Sequence, residues 1–289
     1  MTHEFEALGT KWWITIFGDA SKETLEAAFG RLERFTREYE MRYSRFRTDS
    51  LISKLNTQRK FEAPDEAFRT LLEFGKGLYL RTNTNFNLLT GNILEARGYN
   101  ADYTFTPSNP ERETAGNPIT DLQITLEKIT LAHGKVDIGG YGKGYLIDEL
   151  AKILQEEFLL PYFLINGGGD MFVSSNCNKP VEIYLEHPTA PKKYIHTTLL
   201  HNQGFAASSP FKRIWKSADQ TFTHIITNHT APKVASFVKA SSARDADAFA
   251  TTALLLHETE LVKLAHEEHF SVARFNPETS QLWQTTNFT

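Results

Sequence analysis

Apolar residues along this chain recur with a period of two in some stretches and near 3.6 in others, and the switches lay out an α+β protein. Trp13 to Phe17 alternates as a strand, after which Ser21 is placed to cap a helix carrying Leu25, Phe29, Leu32 and Phe35 on one face. Pro64 opens a second helix with Ala67, Leu71, Leu72 and Leu78 inward. The polar stretch from Tyr103 to Asn117, broken by Pro107, Pro110 and Gly116, reads as a long surface loop. Ile124/Leu126, Ile129/Leu131 and Val136/Ile138 then alternate around Glu127-Lys128 and His133-Gly134 as a β-meander. A helix from Tyr145 to Phe158 turns Leu146, Leu150, Ile153 and Leu154 inward. Tyr162 to Ile165 is a short buried strand, and Val181/Ile183/Leu185 and a strand around Ile225 continue the sheet. A helix at Asp247, a helix from Thr259 to His266 and a strand from Phe270 to Phe275 close the chain. No sharp linker and no repeat interrupts this order, so residues 1–289 are expected to form one domain.

The densest chemical signal lies where the meander meets the helix. Val136-Asp137-Ile138-Gly139-Gly140-Tyr141-Gly142-Lys143-Gly144-Tyr145-Leu146-Ile147-Asp148 reads as strand, bare-backbone turn and helix. Glycines lacking Cβ let main-chain N–H groups approach a ligand, and a helix start offers unpaired N–H groups and a positive dipole end to an anion such as phosphate. Spacing excludes the common phosphate loops. A P-loop ending at Gly142-Lys143 needs glycine where Asp137 stands and Ser or Thr where Gly144 stands, and no window gives G-x-G-x-x-G. The alternative is an ordinary glycine-rich strand-to-helix turn.

Two further segments carry chemistry. Tyr162 to Ile165 runs into Asn166-Gly167-Gly168-Gly169-Asp170 and then Met171-Phe172-Val173, so a second strand ends in bare backbone. In the helix near Asp245, Asp247 and Thr251 stand four residues apart and share a face. Two hard oxygen ligands one turn apart suit a small divalent cation such as Mg²⁺, which takes few protein ligands. The competing reading makes Asp245 or Asp247 a helix cap with Thr251 packed beside it.

Together these segments resemble the FAD:protein FMN transferase family, also called ApbE, over nearly the whole chain. Ala7-Leu8-Gly9-Thr10-Lys11-Trp12 is similar to the family's opening M-G-T-x-[WY] strand, and Tyr43 to Asn56 follows its S-x-[FY]-x-x-x-S-x-[IL]-S-x-[LF]-N. The glycine-lysine turn matches D-[IL]-G-G-x-[AG]-K-G-Y-x-x-D, the Asn166 segment N-x-G-G-D, and the Asp247 segment A-D-A-[LF]-[AS]-T. The resemblance implies an ApbE-like, T-fold-like α+β architecture of mixed and antiparallel sheets with packed helices in two intimately packed subdomains. It departs at three places. Asn85-Phe86-Asn87 stands for G-x-F-D, Thr223 to Ala231 keeps His224, Ile225 and Ile226 but loses the Asp-Pro and final glycine of its motif, and Ala207-Ser208-Ser209-Pro210-Phe211 replaces T-S-G-x-[YF].

The implied reaction cleaves FAD at its diphosphate and joins the FMN half to a Thr or Ser hydroxyl of an acceptor flavoprotein, releasing AMP. Lys143 and the N–H groups around Gly140 to Gly144 would hold phosphate oxygens. Asp247, Thr251 and, from the family, the Gly140 carbonyl would hold Mg²⁺. Leu8, Phe46, Asn85, Phe86, Asn87, Asp137 and Ile225 correspond to flavin or adenine contacts. His224 is the candidate general base, because imidazole titrates near neutrality, with Asp247 as the alternative. A hydrolase that gives FMN and AMP with water as acceptor, or a decayed FAD-binding protein, would use the same pocket.

Composition narrows the classes. With 40% apolar and 23% charged residues, 289 residues suffice for an ample core. A net charge of −4 with no Lys/Arg block gives no footprint for nucleic acid or an anionic membrane. Cys177, the single cysteine, allows no internal disulfide and no cysteine zinc site, and reads as a bystander in a turn. No signal-peptide pattern and no run of 18 apolar residues occurs, so the chain as written is expected in the cytoplasm without a membrane span; the alternative is export on a signal not carried here.

Overall fold

The computed structural model describes residues 1–175, 179–211, 213–217, 220–227 and 233–288; Cys177 and residues 228–231, singled out above, lie outside them. The chain begins with β1 (Thr2–Ala7), β2 (Thr10–Ile16), α1 (Lys22–Tyr43), α2 (Leu51–Gln58), β3 (Lys60–Glu62), α3 (Glu66–Arg81) and α4 (Gly91–Ala96). It continues through β4 (Leu122–Ile124), β5 (Lys128–Leu131), α5 (Gly142–Lys152), β6 (Tyr162–Gly167), β7 (Asp170–Ser175), β8 (Val181–Glu186) and β9 (Tyr194–Leu200). Last come β10 (Gln203–Ser208), β11 (Ile214–Ser217), β12 (Gln220–Thr223), β13 (Ala235–Ala240), α6 (Ala243–Thr252), α7 (Glu258–Glu267), β14 (Ser271–Asn276) and β15 (Gln281–Gln284). Among the described residues no helix is long and apolar enough to cross a membrane.

These elements form two compact units, one of residues 1–40, 140–209 and 233–289, the other of residues 41–139 and 210–232. The first unit is built on an eight-stranded antiparallel sheet in the order β1-β2-β6-β7-β10-β13-β14-β15. On one face Val173, Phe205, Phe237, Ala273 and Phe275 pack under Ile183, Leu185 and Leu200 of the β8–β9 hairpin. Alternation sends Ser236 to the other face, where its hydroxyl donates to the Ala250 carbonyl of α6 at 2.5 Å. Helix α6 therefore covers the face opposite the hairpin. The second unit carries a three-stranded sheet, β3-β5-β4, and the separate β11–β12 hairpin.

Capping chemistry explains most helix starts. Ser21 accepts the Thr24 N–H at 3.0 Å before α1, and Asp65, not Pro64, caps α3 through the Phe68 N–H at 2.9 Å. The expected third strand of the meander is absent. Val136 lies outside any strand because both its backbone groups bond to one side chain: the Asn56 amide donates to its carbonyl at 2.9 Å and accepts its N–H at 2.7 Å. Val181 to Leu185 does not extend the large sheet but pairs only with β9, and β12 stops at Thr223, so Ile225 is not in a strand. The stretch 103–117 is the loop expected, with one short 3-10 turn at Pro110–Arg112.

Candidate active site

In the first unit the glycine-lysine segment is already helical at Gly142, one residue before Lys143, with the Tyr39 hydroxyl donating to the Gly142 carbonyl at 2.9 Å. Helix α5 meets α6 at Gly144. A Cβ at that position would fall well inside contact distance of the Ala243 carbonyl oxygen, so the missing side chain is what allows the approach. Three hydrogen bonds lock the pair. The Gly144 N–H donates to Asp247 Oδ2 at 3.0 Å, and the Asp148 carboxylate accepts the Ala243 and Arg244 N–H groups at 2.8 and 3.0 Å. Asp148 thus satisfies the start of α6 from a neighbouring helix, beside the Ser242 hydroxyl that accepts the Asp245 N–H at 3.1 Å. Burial pushes the Asp148 carboxyl up to about 6, against the pull of those two N–H groups.

The local cap is Ser242, so neither Asp245 nor Asp247 plays that part. Asp247 is 5% exposed, and its Oδ1 takes no hydrogen bond among the described residues. One turn on, the hydroxyls of Thr251 and Thr252 behave differently. Thr252 bonds back to the Ala248 carbonyl at 2.8 Å, the habit also of Thr36 and Thr82 toward Leu32 and Leu78, whereas the partly exposed Thr251 makes no such bond. An uncommitted carboxylate oxygen and an uncommitted hydroxyl at helical spacing form a donor set that fits a hard cation. Among the described residues no group of three or more His, Cys, Asp or Glu side chains is arranged to hold a metal, so a cation here would draw on hydroxyl and carbonyl oxygen as well.

A residue not assigned from the sequence completes this cluster. Asp170, buried at the start of β7, is ion-paired with the Lys143 ammonium, which also lies 4.0 Å from Asp247 Oδ2. The turn before it is tight because Gly168, at φ +73°, lies against the Thr10 side chain where no Cβ fits, and the Asn166 side chain accepts the Gly169 N–H at 2.9 Å. The signal was present in Asn166 to Asp170; what pattern could not supply was the partner. Leu8 sits at φ +53° in the β1–β2 turn and lines a cleft of about 480 Å³ with Glu6, Thr10, Lys11 and Glu40. Gly140 lies just ahead of α5, in the turn at 139–140.

The second unit holds the remaining candidates. Asp137 is ion-paired with Arg45 and accepts the Gly139 N–H at 2.6 Å, and both charged side chains are largely buried. Arg45 also donates to the Tyr99 carbonyl at 3.1 Å and places its guanidinium 4.2 Å from the centre of the Phe46 ring. Phe46 is stacked by Tyr103, with centroids 5.0 Å apart and planes 15° off parallel, and met edge-on by Tyr99. Its ring face is therefore covered by the chain's own loop. Asn85 donates to the Thr82 carbonyl at 3.0 Å, and Phe86 is buried. Asn87 donates to the Gly116 carbonyl and accepts the Leu89 N–H, both at 2.8 Å, a double role that a carboxylate could not fill. His224 follows β12 in a bend, and Ile225 is buried beside it with its N–H bonded to the Thr223 hydroxyl at 3.2 Å.

An eight-stranded antiparallel sheet with helices packed on it, and a Lys-Asp-Asp cluster where one of its strands begins beside two of those helices, defines an α+β protein. The profile of the ApbE family matches residues 8–274, and the chain belongs to that family. It is 26% identical over 231 residues to the FAD:protein FMN transferase of Rhodobacter capsulatus, covering 75% of this chain but only 43% of that protein. To the FAD:protein FMN transferase of Salmonella typhimurium it is 20% identical over 290 residues, covering 93% of this chain and 82% of that one. Among solved structures, the ApbE protein of Thermotoga maritima superposes with a TM-score of 0.86 at 19% identity, covering 100% of this chain and 97% of that one. The flavin transferase ApbE of Vibrio cholerae superposes with a TM-score of 0.79 at 18% identity, covering 100% and 97%. These likenesses establish the fold.

Proposed function

We propose that this chain is a FAD:protein FMN transferase, which moves FMN from FAD to a Thr or Ser hydroxyl of an acceptor flavoprotein and releases AMP. The observation that carries the reading is the cluster of Lys143, Asp170 and Asp247 at the start of a helix, with Thr251 one helical turn beyond Asp247. The names of its relatives and the family match support the same activity. Because the match runs from residue 8 to 274 through both units, residues 1–289 are read as one transferase domain.

In this reading Asp247, Thr251 and the Gly140 carbonyl would hold Mg²⁺. When bound, the ion neutralises the phosphate charge and so lowers the barrier to loss of AMP. Lys143 supplies a second positive charge to the phosphates. The Gly144 N–H, spent on Asp247, orients that carboxylate rather than the anion. Leu8, Phe46, Asn85, Phe86, Asn87, Asp137 and Ile225 are the proposed flavin and adenine contacts, and for Phe46 this requires Tyr103 to leave its ring face. His224 takes the acceptor hydroxyl proton, with Asp247 as the alternative base.

A hydrolase giving FMN and AMP, or a decayed FAD-binding protein, would employ the same residues. Incubating the protein with FAD and Mg²⁺, with and without an acceptor peptide, separates the three. The transferase reading expects AMP together with covalently flavinylated peptide. AMP without flavinylated peptide identifies the hydrolase, and flavin binding without AMP identifies the decayed protein.

A further inference from the structure

We propose that Asp170 is a positioning residue whose task is to hold the Lys143 ammonium away from Asp247, keeping that carboxylate open to a divalent cation. The inference rests on the metal-dependent transferase reading above. Lys143 faces two buried carboxylates; it is in direct ion-pair contact with Asp170 and 4.0 Å from Asp247 Oδ2. The three side chains reach this point from separate elements, Lys143 from the first turn of α5, Asp170 from the first residue of β7 and Asp247 from the middle of α6.

Removal of either carboxylate leaves one ammonium and one carboxylate in a site with little water, where they pair directly. A Lys143 drawn onto Asp247, which it already approaches on the Oδ2 side, would pair with that carboxylate, and a cation arriving there would meet an ammonium beside its ligand. Asp170 prevents this by taking the ammonium first. The Thr10–Gly168 contact and the Asn166–Gly169 bond fix the turn from which Asp170 projects, so the ammonium is held by a rigid hairpin rather than by a mobile loop. The same placement keeps one positive charge beside the ligand oxygens without consuming one of them.

The test titrates Mn²⁺ alone into the metal-free full chain and follows free Mn²⁺ by electron paramagnetic resonance. Asp170→Asn is expected to weaken Mn²⁺ binding by about ten-fold or more, and Asp170→Asn combined with Lys143→Met to restore it to within about three-fold of wild type, since no ammonium then competes. Lys143→Met alone is expected to bind Mn²⁺ at least as tightly as wild type, a check that remains if Asp170→Asn does not fold. Unchanged affinity in folded Asp170→Asn overturns the proposal, as does a double variant as weak as the single one, which would make Asp170 itself a ligand. Loss of binding in Lys143→Met also overturns it. Wild-type protein that binds no Mn²⁺ overturns the metal-dependent reading and this inference with it, whereas normal wild-type binding that is indifferent to Asp170 overturns the inference alone.

Discussion

The amide of Gly144 donates to the Asp247 carboxylate at 3.0 Å, joining residues 103 positions apart. One atom-level contact thereby couples the lysine helix to the helix that carries the proposed metal ligands. The absent side chain at 144 and the charged one at 247 are two halves of the same joint.

Gly144→Ala tests that joint. Alanine gains on helix propensity by about 1 kcal/mol, but its methyl meets backbone, the Ala243 carbonyl, which cannot rotate away. Overpacking of that kind costs about 1–3 kcal/mol, so the variant is expected to be less stable by urea unfolding and to bind Mn²⁺ more weakly. A variant that is more stable than wild type would show that α5 and α6 separate freely.

Neighbouring threonines give an internal control. Thr251→Val is expected to weaken Mn²⁺ binding about ten-fold with little change in stability, because its hydroxyl has no back-bond to lose. Thr252→Val, by contrast, removes the bond to Ala248 and is expected to cost about 1 kcal/mol in stability while leaving Mn²⁺ affinity intact. Calorimetry and metal titration on the two variants check the contrast.

Asp148 predicts a pH dependence. Its carboxyl titrates at about 6 in the fold, above the ordinary 3.8, so between those values the folded state holds more protons than the unfolded one. Stability contributed by this group is therefore full below about pH 4, falls as pH rises to about 6, and is level above. At about 1.4 kcal/mol per pH unit the fall is on the order of 3 kcal/mol. Urea unfolding from pH 3.5 to 7 should show this slope in wild type and lose it in Asp148→Asn.

His224→Ala is expected to slow transfer to the acceptor about 10²-fold or more while FAD affinity, read by fluorescence titration, stays nearly constant. Wild-type turnover in this variant would assign the proton to another group, Asp247 first.

Much of this architecture was legible because local pattern and tertiary role coincide. The capped helix at Ser21, the strands at Trp13 and Tyr162, and the helix carrying Leu146 and Leu150, which a π-helical turn at Ile153–Glu157 continues past Leu154, each have periodic apolar residues that are buried as the period demands. Val136 to Ile138 misled because a strand-like sequence finds other partners, the Asn56 side chain for both backbone groups of Val136 and the Leu88 carbonyl for the Asp137 N–H, which periodicity cannot register. Val181 to Leu185 misled differently: alternation specifies a strand with one buried face but not which neighbour it joins. At the site, Lys143, Asp247 and Thr251 stood out by spacing and family resemblance. The pairing of Lys143 with Asp170 and the remote cap from Asp148 are long-range relations between charged groups, and single residue types in turns carry no mark of them.

If the charge of Asp247 serves a metal-dependent cleavage of FAD while either an acid or an amide can hold the joint with Gly144, Asp247→Asn separates the two roles. The amide oxygen can still accept the Gly144 N–H, Ser242 still caps α6, and Lys143 still has Asp170, so the fold keeps its local bonds while the site loses the charge a small divalent cation requires. AMP release from FAD with Mg²⁺, measured alongside a melting curve, is expected to fall about 10²-fold or more in a variant that melts within a few degrees of wild type. Undiminished AMP release from a variant that melts much earlier would place Asp247 in the scaffold and the chemistry elsewhere.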